Sequence, residues 1–398
     1  MAIVLSVVLS TCKKDYESGR VQIFVTYQLI YPKGSQATAI DDGAVIKLEN
    51  NNRNSLHIHQ GITSDCRGEI IFDNVVYGTY TLTVAHPCYN TYTNNNFIIS
   101  NEENNYYVEI YKSTEPNVYV VGRKGGEAFL WNNGELPLDM AIAKSVFVSG
   151  KDVYIAGNQY SGGLKSGKLW KNGVKQDLFR TSANAVFVNG NDVYVVGGLG
   201  YLWINGSSYA LSERSSTDDC EAYSVFVDGN DVYVAGKIYY NPVLWKNGEA
   251  QRLGNSNGVP VSVYVQGNDV YAVGDAYEGG ILYATLWKNG IEQRLSNKPS
   301  VARSVFVFGN DVYVVGSIFD YRTFGNPYTV YHNEYVAVWK NGVEEDQYPH
   351  FGRANSVYVS ENDVYVVGTI YNTATLLKNG FGHPLNDNSS AYSVFVIK

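Results

Sequence analysis

Six histidines and a scatter of carboxylates are the residues of this 398-residue chain best suited to chemistry. His332 and Glu334 lie two apart in the stretch SIFDYRTFGNPYTVYHNEY, Ser317 to Tyr335, and His350 follows in the next connection. Two imidazoles and a carboxylate could ligate a metal, or act as acid and base on a polysaccharide. Asp275, Glu278 and Asp320 fall on the same side of the predicted fold. No H-E-x-x-H and no D-x-D-x-D-G stretch accompanies them, so no compact catalytic or calcium motif supports that chemistry. His57 and His59 would share one face of a strand, but no third ligand is near in sequence. A solvated strand face is the competing reading. His383 follows Lys378-Asn379-Gly380 and falls on the opposite rim or on the outer strand. Neither a metal nor a cofactor is expected.

The elements that must position these groups repeat. N/K-D-V-Y-V-x-G recurs with its Tyr at 119, 154, 194, 233, 271, 313 and 365, Pro116-Asn117 replacing Asn-Asp in the first copy. L-W-K-N-G follows each, with Trp at 131, 170, 203, 245, 287 and 339 and Leu377 in the last. A-x-S-V-F-V ends each copy, its aromatic at 147, 187, 226, 264, 306, 358 and 395. Short segments such as Gln251-Arg252-Leu253 supply a fourth strand. Alternating β-formers flanked by Asn, Asp and Gly turns are strands joined as tight hairpins. A repeat of this length with four strands predicts an all-β, seven-bladed β-propeller, with an open solenoid as the alternative. The repeated Trp is expected to pack between blades. The signatures resemble those of bacterial, broadly kelch-like propellers, a resemblance that implies architecture and no activity.

The phase of the repeats predicts how the ring shuts. With A-x-S-V-F-V as innermost strand A, D-V-Y-V as B, L-W-K-N-G as C and the short segment as D, the repeats begin on a B strand and end on an A strand. The C-terminal strand would then complete the first blade and remove the open edges. Strand parity puts the short A–B and C–D turns on one rim and the variable B–C and D–A connections on the other. Binding is expected on the variable rim. Tyr160, Tyr201, Tyr239, Tyr240, Tyr277, Tyr283 and Tyr371 lie there, and the longest insertion adds Tyr321 and Tyr328. Near the mouth, the variable position of A-x-S-V-F-V holds Lys144, Asn184, Tyr223, Val261, Arg303, Asn355 and Tyr392. Lys144, Tyr223, Arg303, Tyr392, Tyr240, Tyr277, Tyr321 and Tyr328 are the candidate ligand-binding residues; the competing reading is that these aromatics only cover the blades.

Residues 20–113 lack the repeat. Alternation in Val21-Gln22-Ile23-Phe24-Val25 and Thr79-Tyr80-Thr81-Leu82-Thr83-Val84 marks strands of a small β-sandwich. The run GITSDCRGEIIFDNVVYGTYTLTVAHPCY resembles the carboxypeptidase regulatory-like, or transthyretin-like, sandwich, with Thr63, Asp65 and Gly68 in its turn and Gly78, Tyr80 and Leu82 in its strand. That family implies a spacer or interaction module and transfers no catalytic residue. Cys66 and Cys88 lie nearly symmetrically about the turn at Val75-Val76-Tyr77-Gly78, either as a disulfide or as two reduced thiols. Cys220 has no evident partner. The first residues, MAIVLSVVLSTC, form an apolar run too short to span a bilayer as a helix. Leu9-Ser10-Thr11-Cys12 resembles a bacterial lipobox with Cys12 as the acylated residue, the alternative being an ordinary strand. The expected domains are a signal and tether at 1–19, the sandwich at 20–113 and the propeller at 114–398.

The net charge is −8 and no Lys/Arg run exceeds two residues, which excludes a nucleic-acid backbone as the main partner. The expectation is a monomeric, non-enzymatic, lipid-anchored protein of the outer membrane, periplasmic or surface-exposed, binding a glycan or an envelope protein. The alternatives are a polysaccharide lyase or hydrolase, and a scaffold within an envelope complex.

Overall fold

In the computed structural model, side chains are described for residues 116–397 except 133, 179–180, 213–219, 321–332, 347 and 349, and for 78–83 and 93–98; elsewhere in the first 115 residues only backbone strands are described. Contacts divide the chain into two compact units. The larger comprises Val118–Trp131 and Glu135–Ile397, and the smaller Met1–Asn117, Asn132–Gly134 and Lys398.

The larger unit is a seven-bladed propeller of four-stranded antiparallel blades. Blade 2 shows the unit: Ile142–Ser149 (strand A), Asp152–Ser161 (B), Leu164–Lys171 (C) and Val174–Asp177 (D) pair in that order. Blades 3 to 7 repeat it from innermost strands at Ala183–Asn189, Cys220–Asp228, Asn257–Gln266, Ser300–Phe308 and Gly352–Ser360. Blade 1 is composite. Its strands B to D are Asn117–Lys124, Glu127–Trp131 and Glu135–Leu138, and its strand A is the C-terminal Ser389–Ile397.

In the smaller unit, Val45–Asn50, Ile58–Ile62, Gly78–His86 and Tyr89–Ile99 form one sheet, and Val7–Cys12, Ser18–Phe24 and Glu69–Val76 another. The expected packing of a sandwich there, Cys66, Cys88, His57 and the side chains of His59 and Cys12 lie outside the described residues.

Both faces of each blade are apolar because each meets a neighbour. In Val-Tyr-Val-Val, Tyr119 and Val121 pack with Val146, Val148 and Ile155 of blade 2, while Val120 packs with Val367 and Leu376 of blade 7. Trp245, Trp287 and Trp339 are wholly buried in such inter-blade clusters, so the repeated tryptophan is packing. At the axis, Phe147, Phe187, Phe226, Tyr264, Phe306, Tyr358 and Phe395 form a closed ring. Successive centroids are 4.6–5.0 Å apart and the planes are inclined by 44–53°. Tilted aromatic pairs of this kind contribute about 1 kcal/mol each beyond burial.

Two signatures turn out to be one device. In blades 2 to 7 the A–B register slips by one residue at the variable position, before Ser145, Ala185, Ser224, Ser262, Ser304 and Ser356. The slip is a β-bulge, which re-aims the extra residue. It also drives a strand-A carbonyl against the glycine of V-Y-V-x-G. A Cβ at Gly274 would lie 1.9 Å from the Val259 oxygen, and one at Gly236 2.0 Å from that of Glu221. Only glycine leaves room for the bulge. The serine after it links blades. Ser145, Ser224, Ser262, Ser304, Ser356 and Ser393 each accept a backbone N–H from the next innermost strand at 3.1–3.3 Å. These N–H groups face the axis, where no further strand could pair them.

The other rim is tied by the remaining signature residues. In Lys-Asn-Gly turns the Asn adopts φ near +50°, accepts the N–H of the D-V-Y valine and donates to the Asp, as Asn289 does to Val270 and Asp269 at 2.8 Å. The neighbouring lysine pairs with the same Asp and lies over its Tyr ring, as Lys288 does with Asp269 and Tyr271. The lysine hydrogen bond holds Asp231, Asp269, Asp311 and Asp363 below the usual carboxylate range.

Removing residues 391–398 deletes Ser393 and Phe395 and opens blade 1, so calorimetry is expected to show loss of the cooperative propeller transition; an unchanged melting temperature would refute the closure. Gly274→Ala is expected to cost about 3 kcal/mol in denaturant unfolding, whereas Gly134→Ala, whose Cβ would meet nothing within 4 Å, is expected to be neutral.

Candidate functional site

The variable rim is built from unlike residues on like strands. Bulging of strand A places Lys144, Asn184, Tyr223, Val261, Arg303 and Asn355 at one level around the mouth, with Tyr392 in the matching position of blade 1; all seven are half-buried.

Polar contacts pass from blade to blade at this level. Lys144 Nζ donates to Asn184 Oδ1 at 2.7 Å, and Asn184 Nδ2 donates to the Ala222 carbonyl at 2.8 Å. Asn355 Nδ2 donates to the Ala391 carbonyl at 2.7 Å. The Tyr223 hydroxyl donates to Glu221, and burial together with that carboxylate holds the phenol protonated. Arg303 Nη2 lies 3.4 Å from Glu334 Oε1, which also accepts from Ser317 Oγ at 2.7 Å. Arg303 Nε is buried without a partner. Burial, with Lys165 close by, lowers the Lys144 ammonium to about 8, against the opposing pull of Glu221.

In blades 2 and 5 the residue after V-Y-V-x-G forms a second level and reaches toward the next blade. Asn158 Oδ1 accepts the Ala183 N–H at 2.9 Å, and Asp275 Oδ1 makes the equivalent bond to Ala302 at 3.1 Å. Desolvation pushes the Asp275 carboxyl up to about 7, although Arg303 and the Ala302 N–H favour its ionised form.

Further out, the rim tyrosines divide. Tyr240, Tyr371, Tyr277, Tyr160 and Tyr239 are exposed, at 77%, 64%, 51%, 49% and 41%. Tyr201 packs against the cluster between blades 2 and 3, and Tyr283 lies under the Arg294 guanidinium at 3.3 Å. Tyr239 and Tyr371 hold left-handed φ of +56° and +49°, at hairpin tips where blades 1, 2 and 5 use Gly-Gly. A bulky residue there costs roughly 1–2 kcal/mol. The side chain of Tyr321 and all of Tyr328 lie outside the described residues, as does the side chain of His332.

Of the three candidate acid-base residues His332, Glu334 and His350, the two with described side chains have separate partners. His350 Nε2 donates to the Gly380 carbonyl at 3.1 Å, while Glu334 is engaged at the mouth by Ser317 and Arg303. Glu278 pairs with Arg294. Among the described residues, no three His, Cys, Asp or Glu side chains are grouped to hold a metal. Gly254-Asn255-Ser256-Asn257-Gly258 has the G-x-S-x-G spacing of a nucleophile elbow, yet it leads into strand Asn257–Gln266 where an elbow needs a helix. Cys220 is a buried free thiol, its pKa raised first by burial and then by Glu221.

Asp275 makes stability depend on pH. Its folded pKa is above the unfolded one, so the folded state binds the extra proton between about pH 4 and pH 7, and stability falls as pH rises through that window. Asp275→Asn keeps an acceptor for Ala302, as Asn158 shows for Ala183. The variant is expected to match the parent near pH 4 and exceed it by about 2 kcal/mol at pH 8 in urea unfolding; equal curves at both pH values would refute the assignment.

No protein-family model matches the chain, and neither does any curated protein. Among solved structures, the computationally designed Ika8 protein is 14% identical, with 78% of this chain and 92% of that one covered and a TM-score of 0.43. The WD40 β-propeller domain of Doa1 is likewise 14% identical, covering 71% of this chain and 89% of that one at a TM-score of 0.42. The propeller assignment rests on the strand pairing itself.

Proposed function

We propose that the protein is a non-enzymatic recognition protein whose propeller binds a glycan or protein ligand on its variable rim. The observation that carries this reading is the pair Tyr239 and Tyr371. Glycine serves at the matching tips of blades 1, 2 and 5, so a tyrosine in left-handed backbone spends stability without improving the hairpin. Its exposed ring suits stacking on a sugar or packing on a peptide, with a hydroxyl to fix orientation. The half-buried polar ring of Lys144, Asn184, Arg303 and Asn355 supports the reading from the mouth, since few large movements are needed to present it. The reading includes a lipid anchor at Cys12, supported by the lipobox-like Leu9-Ser10-Thr11-Cys12, and an N-terminal spacer at an outer membrane or cell surface.

The test uses the full chain and its Tyr239→Gly/Tyr371→Gly variant on a glycan array and in pulldown from envelope extract. The variant is expected to be more stable by about 1–2 kcal/mol per position and to bind at least about tenfold more weakly, a loss also expected for Tyr240→Ala/Tyr277→Ala. Retained binding in both variants, or turnover of a polysaccharide by the parent, would overturn the reading.

A further inference from the structure

In a repeat protein the regular blades serve as controls for an irregular one, and blade 6 departs from them in its outer strand as well as in its long B–C connection. Its strands are Ser300–Phe308, Asp311–Thr323, Val330–Lys340 and Val343–Glu344. Strand D has two residues, where blades 2 to 5 have four. In blades 3, 4 and 5 the residue closing strand D is a buried leucine, Leu211, Leu253 or Leu295, whose N–H donates to a strand-C carbonyl at 2.8–2.9 Å. Blade 6 carries one more residue and fills the inter-blade cluster with Tyr348. The chain leaves strand C after the bond from Glu345 N–H to Val338 and rejoins it where Val336 N–H meets the His350 carbonyl.

That detour borders a groove of about 380 Å³ on the variable rim. Among the described residues its walls carry four carboxylates, Asp320, Glu344, Glu345 and Asp346, and one ammonium, Lys298. Ile318, Val336 and Tyr335 supply an apolar side. Tyr348 also lines it; the side chain is 3% exposed and its hydroxyl has no hydrogen-bond partner among the described residues. An unpaired buried hydroxyl is destabilising, which the leucines of blades 3 to 5 avoid. Burial, and then the Glu345 carboxylate, keep the phenol protonated, its pKa pushed up to about 12, so it can both accept and donate. A concave surface with this charge excess concentrates cations.

We propose that the blade 6 groove binds a basic side chain, lysine or arginine, of a peptide segment in a protein partner. This rests on the reading of the variable rim as a recognition face and selects a protein ligand there. A bare divalent cation fits poorly, because the described carboxylates do not converge in threes. A lysine or arginine stem is apolar along its length and charged at its tip. It matches Ile318 and Val336 with its methylenes, and the carboxylates and the Tyr348 oxygen with its donors.

The test titrates the full chain with the peptide Ac-Gly-Lys-Gly-Lys-Gly-Lys-Gly-NH₂, its glutamate counterpart, glucosamine and calcium chloride. The lysine peptide alone is expected to saturate. Its affinity should fall at least about tenfold in Tyr348→Phe and in Glu345→Gln/Asp346→Asn, while Tyr348→Phe melts no lower than the parent. No binding of the lysine peptide, equal binding of the glutamate peptide, saturation by glucosamine or calcium alone, or unchanged affinity in both variants would overturn the proposal. Loss of the natural ligand in Tyr239→Gly/Tyr371→Gly with no effect of Tyr348→Phe would remove the groove and leave the rim reading standing. Failure of both sets would remove both.

Discussion

Every blade has two apolar faces and no means of covering either alone, so the structure depends on the ring being complete. Seven inter-blade clusters satisfy that requirement, and the one between blades 7 and 1 exists because Ser389–Ile397 returns to pair with the first propeller strand. Phe395 then stands between Tyr358 and Phe147, and the aromatic ring at the axis has no gap. Closure of this kind joins residues far apart in sequence, as the bond from Val146 N–H to Ser393, across 247 positions, illustrates. Its stabilisation comes only after most of the chain is ordered, which makes the last strand a condition for the fold and not an addition to it.

Within the closed ring, conserving shape and varying chemistry have been assigned to different positions. The Asp, Tyr, Lys and Asn of the signatures are consumed by one another on the plain rim, and the Trp and Val by burial. The bulge separates the two roles on a single strand. It lets the serine that follows bind the next blade while the extra residue faces the mouth, and a glycine on strand B makes room for it. Lys144, Tyr223 and Arg303 can therefore differ without disturbing Val-Phe-Val.

Much of this was readable in the residues. The period, the four strands, the inward Trp and the composite first blade all follow from repeated patterns whose physical meaning is local: alternation, turn chemistry and phase. The variable position before each serine was also visible, but its nature was not, because a one-residue register slip leaves no mark in the residue types of the bulged strand. Its trace was on the partner strand, in the glycine of V-Y-V-x-G, which reads equally well as a turn residue. Of His332, Glu334 and His350, the two whose side chains are described take separate partners. Nearness in adjacent connections says nothing of direction, and His350 turns toward Gly380 while Glu334 turns toward Arg303.

By itself, then, the sequence determined an all-β ring of seven similar blades, the strand that closes it and the rim on which variation collects, because those depend on interactions repeated at a constant spacing. Tertiary structure decided which unlike residues meet: the pairing of Lys144 with Asn184, the desolvation of Asp275 beside Arg303, the left-handed tyrosines at the rim and the acidic groove over Tyr348. Each of these joins residues whose separation obeys no period, and only the packed blades bring their side chains and fields together.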